Sequence, residues 1–274
     1  MRILPVLLAL ALPFLFSCNR NNVQEDNSLK PFFEKNKVEG CFGLFDNAHG
    51  DFTIYNLNRY RDSSYSPAST FKIVNGLIGL QTGQITRKDM VLKWDGKDRG
   101  RPEWNQDLRF DSAFKYSAVW YFQEVARMIG RDTMKIYLDS LHYGNANISG
   151  PIDSFWLNNT LKITPDEQLG LVKQLYFNKL TPFNQRSMNE VKQAMLMEQT
   201  DKYGLYYKTG LTYTEQGHPL GWVLGWVEEG NDKKPYFFVL NIESADPNAN
   251  LIPVRITMLK DILKHLGYMQ GKKG

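Results

Sequence analysis

Apolar and polar positions change period twice along the chain. Residues 40–46 and 52–58 are apolar, β-rich runs on either side of the turn-rich Asn47-Ala48-His49-Gly50-Asp51, which predicts a hairpin. Residues 205–213, 221–229 and 235–243 predict three further strands with polar turns between them. Between these two sheet regions, roughly 69–200, the signals are helical. Thr164-Pro165-Asp166-Glu167 reads as a capping box with Pro at the first helical position, and Ser187-Met188-Asn189-Glu190 reads as a second. Gly130 and Gly144 stand where helices should stop, and a last helix is expected over about 252–267. The expected fold is α+β: an antiparallel sheet flanked by terminal helices, with a mainly helical lobe inserted between the strands. A ligand cleft is expected where the two lobes meet.

The N-terminus departs from this pattern. Arg2 precedes an apolar run from Ile3 to Phe16, too short for a confident membrane span, so residues 1–17 read as an export signal. Leu15-Phe16-Ser17-Cys18 is similar to a bacterial lipobox, which makes Cys18 a candidate lipidation site; simple cleavage near Cys18 is the alternative. The polar stretch that follows, to residue 28, reads as a flexible tether, and 29–270 as a single two-lobed domain. The expected location is the periplasm of a Gram-negative bacterium, with a lipid anchor to the membrane.

Charge and cysteine content narrow the chemistry. A net charge of +4 over 274 residues, without a long basic block, gives no reason to expect nucleic-acid binding. The second cysteine, Cys41, lies in a strand-like run and is expected to be a buried thiol. The four histidines show no His-x-His or His-x-x-x-His spacing, so no metal is expected. No Gly-x-Ser-x-Gly elbow occurs either.

Ser69 and Lys72 are three residues apart at the start of an apolar helical run, which stacks hydroxyl and amine on one face. That spacing alone decides nothing, because Ser112 and Lys115 repeat it. A serine hydroxyl needs an adjacent base, and a lysine serves as one only where burial lowers its pKa. Phe71, Val119, Phe122, Trp156 and Leu157 are the candidate apolar walls for such a lysine. Further along come Ser117-Ala118-Val119, Tyr143-Gly144-Asn145 and Lys208-Thr209-Gly210, the last expected at the end of a strand. Each is weak alone.

Together and in this order, these motifs resemble those of the penicillin-recognising serine enzymes. Pro67-Ala68-Ser69-Thr70-Phe71-Lys72, Ser-Ala-Val in place of Ser-Asp-Asn, Tyr-Gly-Asn and Trp156 look like the class D (oxacillinase-type) serine β-lactamases in particular. The resemblance implies Ser69 as nucleophile and a CO2-derived carbamate on Lys72 as general base for acylation and deacylation. It implies Trp156 as hydrogen-bond donor to that carbamate, and Ser117 as proton relay to the leaving nitrogen. Lys208, Thr209 and Arg255 would hold the substrate carboxylate, and the N–H groups of Ser69 and Leu211, next to Gly210, would form an oxyanion hole. The expected partners are β-lactam small molecules. A β-lactam-sensing domain, acylated without turnover, and a peptidoglycan transpeptidase or carboxypeptidase are the alternatives.

Overall fold

The computed structural model describes residues 22–87, 89–230 and 233–271. The export signal and Cys18 lie outside the described residues. The central sheet has seven strands. They are β1 (Val23–Glu25), β2 (Glu39–Asp46), β3 (Asp51–Tyr55), β6 (Leu196–Gln199), β7 (Tyr203–Tyr213), β8 (Pro219–Glu229) and β9 (Lys234–Glu243). Their spatial order is β1-β3-β2-β9-β8-β7-β6, and a separate two-stranded ribbon joins β4 (Val91–Leu92) to β5 (Leu108–Arg109). All neighbours in the sheet are antiparallel except β1 and β3.

Two-residue periodicity sends alternate side chains of the inner strands to two different cores. Trp222, Leu224 and Trp226 of β8, with Phe237 and Val239 of β9, point into the core shared with the helical lobe. Val223, Val227, Phe238, Leu240 and Ile242 point the other way, onto α1 (Lys30–Lys35) and α9 (Leu251–His265). With both faces covered, β8 is buried along almost its whole length.

The helical lobe comprises α3 (Lys72–Gln81), α4 (Phe110–Lys115), α5 (Val119–Ile129), α6 (Arg131–Ser140), α7 (Pro165–Tyr176) and α8 (Gln185–Met195), while α2 (Leu57–Asp62) follows the first hairpin. Thr164 caps α7 in a full capping box with Glu167. The second expected box does not form. Asn184 caps α8 instead, its side chain accepting from the Ser187 N–H at 2.8 Å, so Ser187 lies inside the helix. Residues 23–25, expected in a tether, pair in parallel with residues 52–54. Backbone pairing needs no apolar period, which is why composition gave no sign of this strand. Lys208-Thr209-Gly210 lies in the middle of β7, not at its end, because pairing with β8 continues to Tyr213.

Candidate active site

Pro67 leads into a 3-10 turn, Ala68–Phe71, that runs directly into α3. Ala68 has φ +50°, a left-handed conformation that a non-glycine residue adopts only where surroundings enforce it. Here the enforcing contacts are visible. The Ala68 N–H donates to the Trp156 carbonyl at 2.9 Å, and Ser66 Oγ donates to the same oxygen at 2.8 Å. Thr70 Oγ1 donates to the Pro67 carbonyl at 2.6 Å and accepts from Gln168 Nε2 at 2.8 Å. The turn is thus held from the loop before it and from α7, and Ser69 is fixed in space.

Lys72, one turn on, places Nζ 2.6 Å from Ser69 Oγ. It is fully buried, 5.5 Å from the centre of the Phe122 ring, and burial alone lowers its pKa to about 7. No carboxylate pairs with it among the described residues. Trp156 is buried behind Phe71, their rings stacked at 5.2 Å, and its Nε1 has no hydrogen-bond partner among the described residues. A buried unpaired donor costs about 1–3 kcal/mol, so this N–H is free to serve an acceptor. Leu157 packs half-buried against the same core, and its carbonyl accepts from Thr212 Oγ1 at 3.0 Å, tying this loop to β7.

Ser117 joins α4 to α5 with φ +56°, the second strained non-glycine residue at this site. Lys208 Nζ, on the buried centre of β7, donates to Ser117 Oγ at 2.9 Å. Burial, then the charges of Lys72 and Arg255, hold Lys208 well below the usual lysine range. Gly210 lets β7 approach the Ser69 turn: a Cβ there would lie 2.9 Å from the Pro67 carbonyl oxygen. β6 pairs with β7 only as far as Tyr206, which leaves the edge carrying the Lys-Thr-Gly without a strand partner among the described residues. Arg255 of α9 donates to the Gly210 carbonyl, and burial pulls its pKa down to about 10.

These elements enclose a cavity of about 170 Å³. Ser69, Ser117, Val119, Thr209, Leu211 and Arg255 line it, and no aspartate or glutamate does. Arg101, Trp104 and Ile252 also line it; Ile252 stands beside Arg255 on α9, whereas Arg101 and Trp104 come from a motif-free loop that only the tertiary fold brings here. Larger concavities of about 470 and 440 Å³ hold no serine, cysteine or histidine, and one of about 280 Å³ holds Ser112 with Lys115 exposed, so a serine beside a buried lysine singles out the smaller one. A cluster of cations with no anion suits an anionic ligand, whose arrival would favour the charged forms of Lys208 and Arg255.

Other candidates resolve simply. Ser112 and Lys115 lie on α4 with Lys115 exposed and the Ser112 hydroxyl donating to Asp111 at 3.2 Å. Asn145 bridges the Thr160 carbonyl and the Lys162 N–H at 3.0 Å each, and so closes the loop that carries Trp156. The buried Cys41 thiol is pushed up to about 12, which removes it as a nucleophile. Among the described residues no group of His, Cys, Asp and Glu is placed to hold a metal.

Residues 24–264 match the penicillin-binding-protein transpeptidase domain family. The β-lactamase OXA-19 of Pseudomonas aeruginosa is 37% identical over 253 residues, covering 92% of this chain and 93% of the relative. The structure of a class D β-lactamase, YbXI from Nostoc, superposes with a TM-score of 0.80 at 36% identity, over 87% of this chain and 98% of that one. The C-terminal domain of the Bacillus licheniformis BlaR penicillin receptor superposes with a TM-score of 0.82 at 33% identity, over 90% and 97% of the two chains.

Proposed function

The chain belongs to the class D serine β-lactamases and is a β-lactam hydrolase, and from that premise we propose that it works through an acyl-enzyme on Ser69 with carboxylated Lys72 as general base. One observation carries this reading: Lys72 Nζ lies 2.6 Å from Ser69 Oγ, wholly buried, with its pKa at about 7. At neutral pH much of that amine is unprotonated, and only the neutral amine can accept a proton or combine with CO2. When present, the carbamate supplies an anionic oxygen base beside Ser69 in both half-reactions. The unpaired Trp156 Nε1 is the donor that fits such an anion, and the rings of Phe71 and Phe122 exclude water from it.

The remaining steps belong to this chain's own groups. The substrate carboxylate meets Lys208, Thr209 and Arg255, accepting from the Thr209 hydroxyl and supplying the countercharge that the two cations lack. Ser69 Oγ gives its proton towards Lys72 as it attacks the lactam carbonyl, whose oxygen is received by the N–H groups of Ser69 and Leu211. The Ser117 hydroxyl, held by Lys208, passes a proton to the departing nitrogen. A water attacking the ester then loses its proton towards Lys72, and Ser69 is restored. Attachment of the exported chain to the membrane through Cys18 extends the proposal, and metabolic labelling with palmitate reads it directly.

Carbon-13 NMR in labelled bicarbonate tests the base. A carbamate resonance is expected in the wild-type protein and not in Lys72→Ala, which should lose both acylation and deacylation. A Lys72→Ala protein that deacylates at the parental rate contradicts the mechanism. Similarity to the BlaR penicillin receptor favours a second reading, acylation without turnover. The two differ only in whether the Ser69 ester is hydrolysed.

A further inference from the structure

The loop between β4 and β5 is built to present one arginine. Asp95 takes Arg99 in a two-pronged ion pair at 2.8 and 2.9 Å. Asp98 accepts from the Gly100 N–H at 2.8 Å, and Asn105 Oδ1 from the Arg99 N–H at 3.0 Å. Trp104 is braced at both ends: its indole N–H donates to the Tyr116 carbonyl at 3.0 Å, and its own carbonyl accepts from Trp120 at 2.9 Å. Arg101 lies exposed over that fixed ring, Cζ 4.8 Å from its centre, and lines the Ser69 cavity.

Its neighbours in sequence are neutralised and it is not. Arg99 has Asp95 and Arg109 has Asp111, whereas no carboxylate pairs with Arg101 among the described residues. No acidic residue lines the cavity, and the charges of Arg101 and Arg255 repel each other. One carboxylate on the substrate answers Lys208 and Arg255 and leaves Arg101 without an anion. Stacked on a braced indole, the guanidinium is already ordered, so less freedom is lost when it binds.

We propose that Arg101 is a specificity residue that favours β-lactams with a second anionic group on the acyl side chain. This rests on the reading of Ser69 as the acylated nucleophile. The test compares benzylpenicillin with its α-carboxy analogue, which differ by one carboxylate, on wild-type protein, Arg101→Met and Arg101→Lys. The readout is the ratio of kcat/KM for the dianion over the monoanion. That ratio is expected to fall roughly five- to tenfold in Arg101→Met and to recover in Arg101→Lys, as for a charge-assisted contact at a solvent-exposed rim. Salt should narrow the wild-type ratio and leave that of Arg101→Met unmoved. A ratio unchanged by Arg101→Met overturns the proposal. So does an equal loss on both substrates, which would assign Arg101 to the carboxylate they share. The same ratio can be read from competition for acylation of Ser69 by a fluorescent penicillin, which requires no turnover. Failure of the hydrolytic reading is therefore seen separately from failure of this one.

Discussion

A lysine removed from water and given no counter-anion cannot keep its proton at the usual value. Lys72 is in that position, and its pKa falls from 10.5 to about 7. Two consequences follow with definite sign. Acylation by wild-type protein should lose rate as pH drops through about 7, because protonated Lys72 can neither combine with CO2 to form the proposed base nor take the Ser69 proton itself. A pH–rate profile flat down to pH 5 would contradict this. Stability responds in the same window. Between about pH 7 and 10.5 the unfolded chain binds the Lys72 proton and the native one does not, so stability rises with pH there. Below pH 7 the native state bears the whole penalty. In CO2-free buffer Lys72→Met should therefore be more stable than wild type at pH 6, by on the order of a few kcal/mol. The gap should close as pH approaches 10.5; denaturant melts across pH measure it, and a gap that widens with pH would contradict the assignment.

At the scale of elements, the site depends on how closely β7 lies against the Ser69 turn. A Cβ at Gly210 would meet the Pro67 carbonyl oxygen at 2.9 Å, Trp222 Cδ1 at 3.1 Å and Thr70 Cγ2 at 3.3 Å. The first is backbone, and Trp222 is itself held by its indole bond to the Ser66 carbonyl at 2.9 Å, so neither yields cheaply. Gly210→Ala should push β7 outward, costing roughly 1–3 kcal/mol in stability. It should also slow acylation by about tenfold or more, since oxyanion donors and nucleophile would part by a fraction of an ångström. Stopped-flow acylation and thermal melts check both, and a parental acylation rate would show that the approach is not needed. Much at this scale was legible in the sequence. The hairpin β2–β3 and strands β7 to β9 announced themselves by apolar runs between turn residues, although the second run was read to 58 and the strand stops at Tyr55, where Asn56 caps α2. The cap at Asn184 and strand β1 did not, because each is decided by one local hydrogen-bond pattern rather than by hydrophobic period.

For the molecule as a whole, strands from both ends of the chain pair in one sheet, and the helical lobe packs against the face that carries Trp222, Leu224 and Trp226. That arrangement brings Ser69, Ser117 and Arg255 to one cavity from three separate segments, with Lys208 behind it bonded to Ser117. Motif order and the family resemblance pointed to residues 69, 117 and 208, and position at the start of the last helix pointed to Arg255, since residue type alone is weak. Arg101 and Trp104 carried no such mark, because a solvent-facing loop lines the cavity only through tertiary packing. A class D β-lactamase and the BlaR penicillin receptor domain both superpose on this chain, so the fold alone does not separate the proposed hydrolysis from acylation without turnover. Counting product molecules released per molecule of protein from a chromogenic cephalosporin measures that fate directly. Release far beyond one equivalent, lost in Ser69→Ala, is the predicted result. A burst of one equivalent followed by a stable Ser69 ester would contradict it.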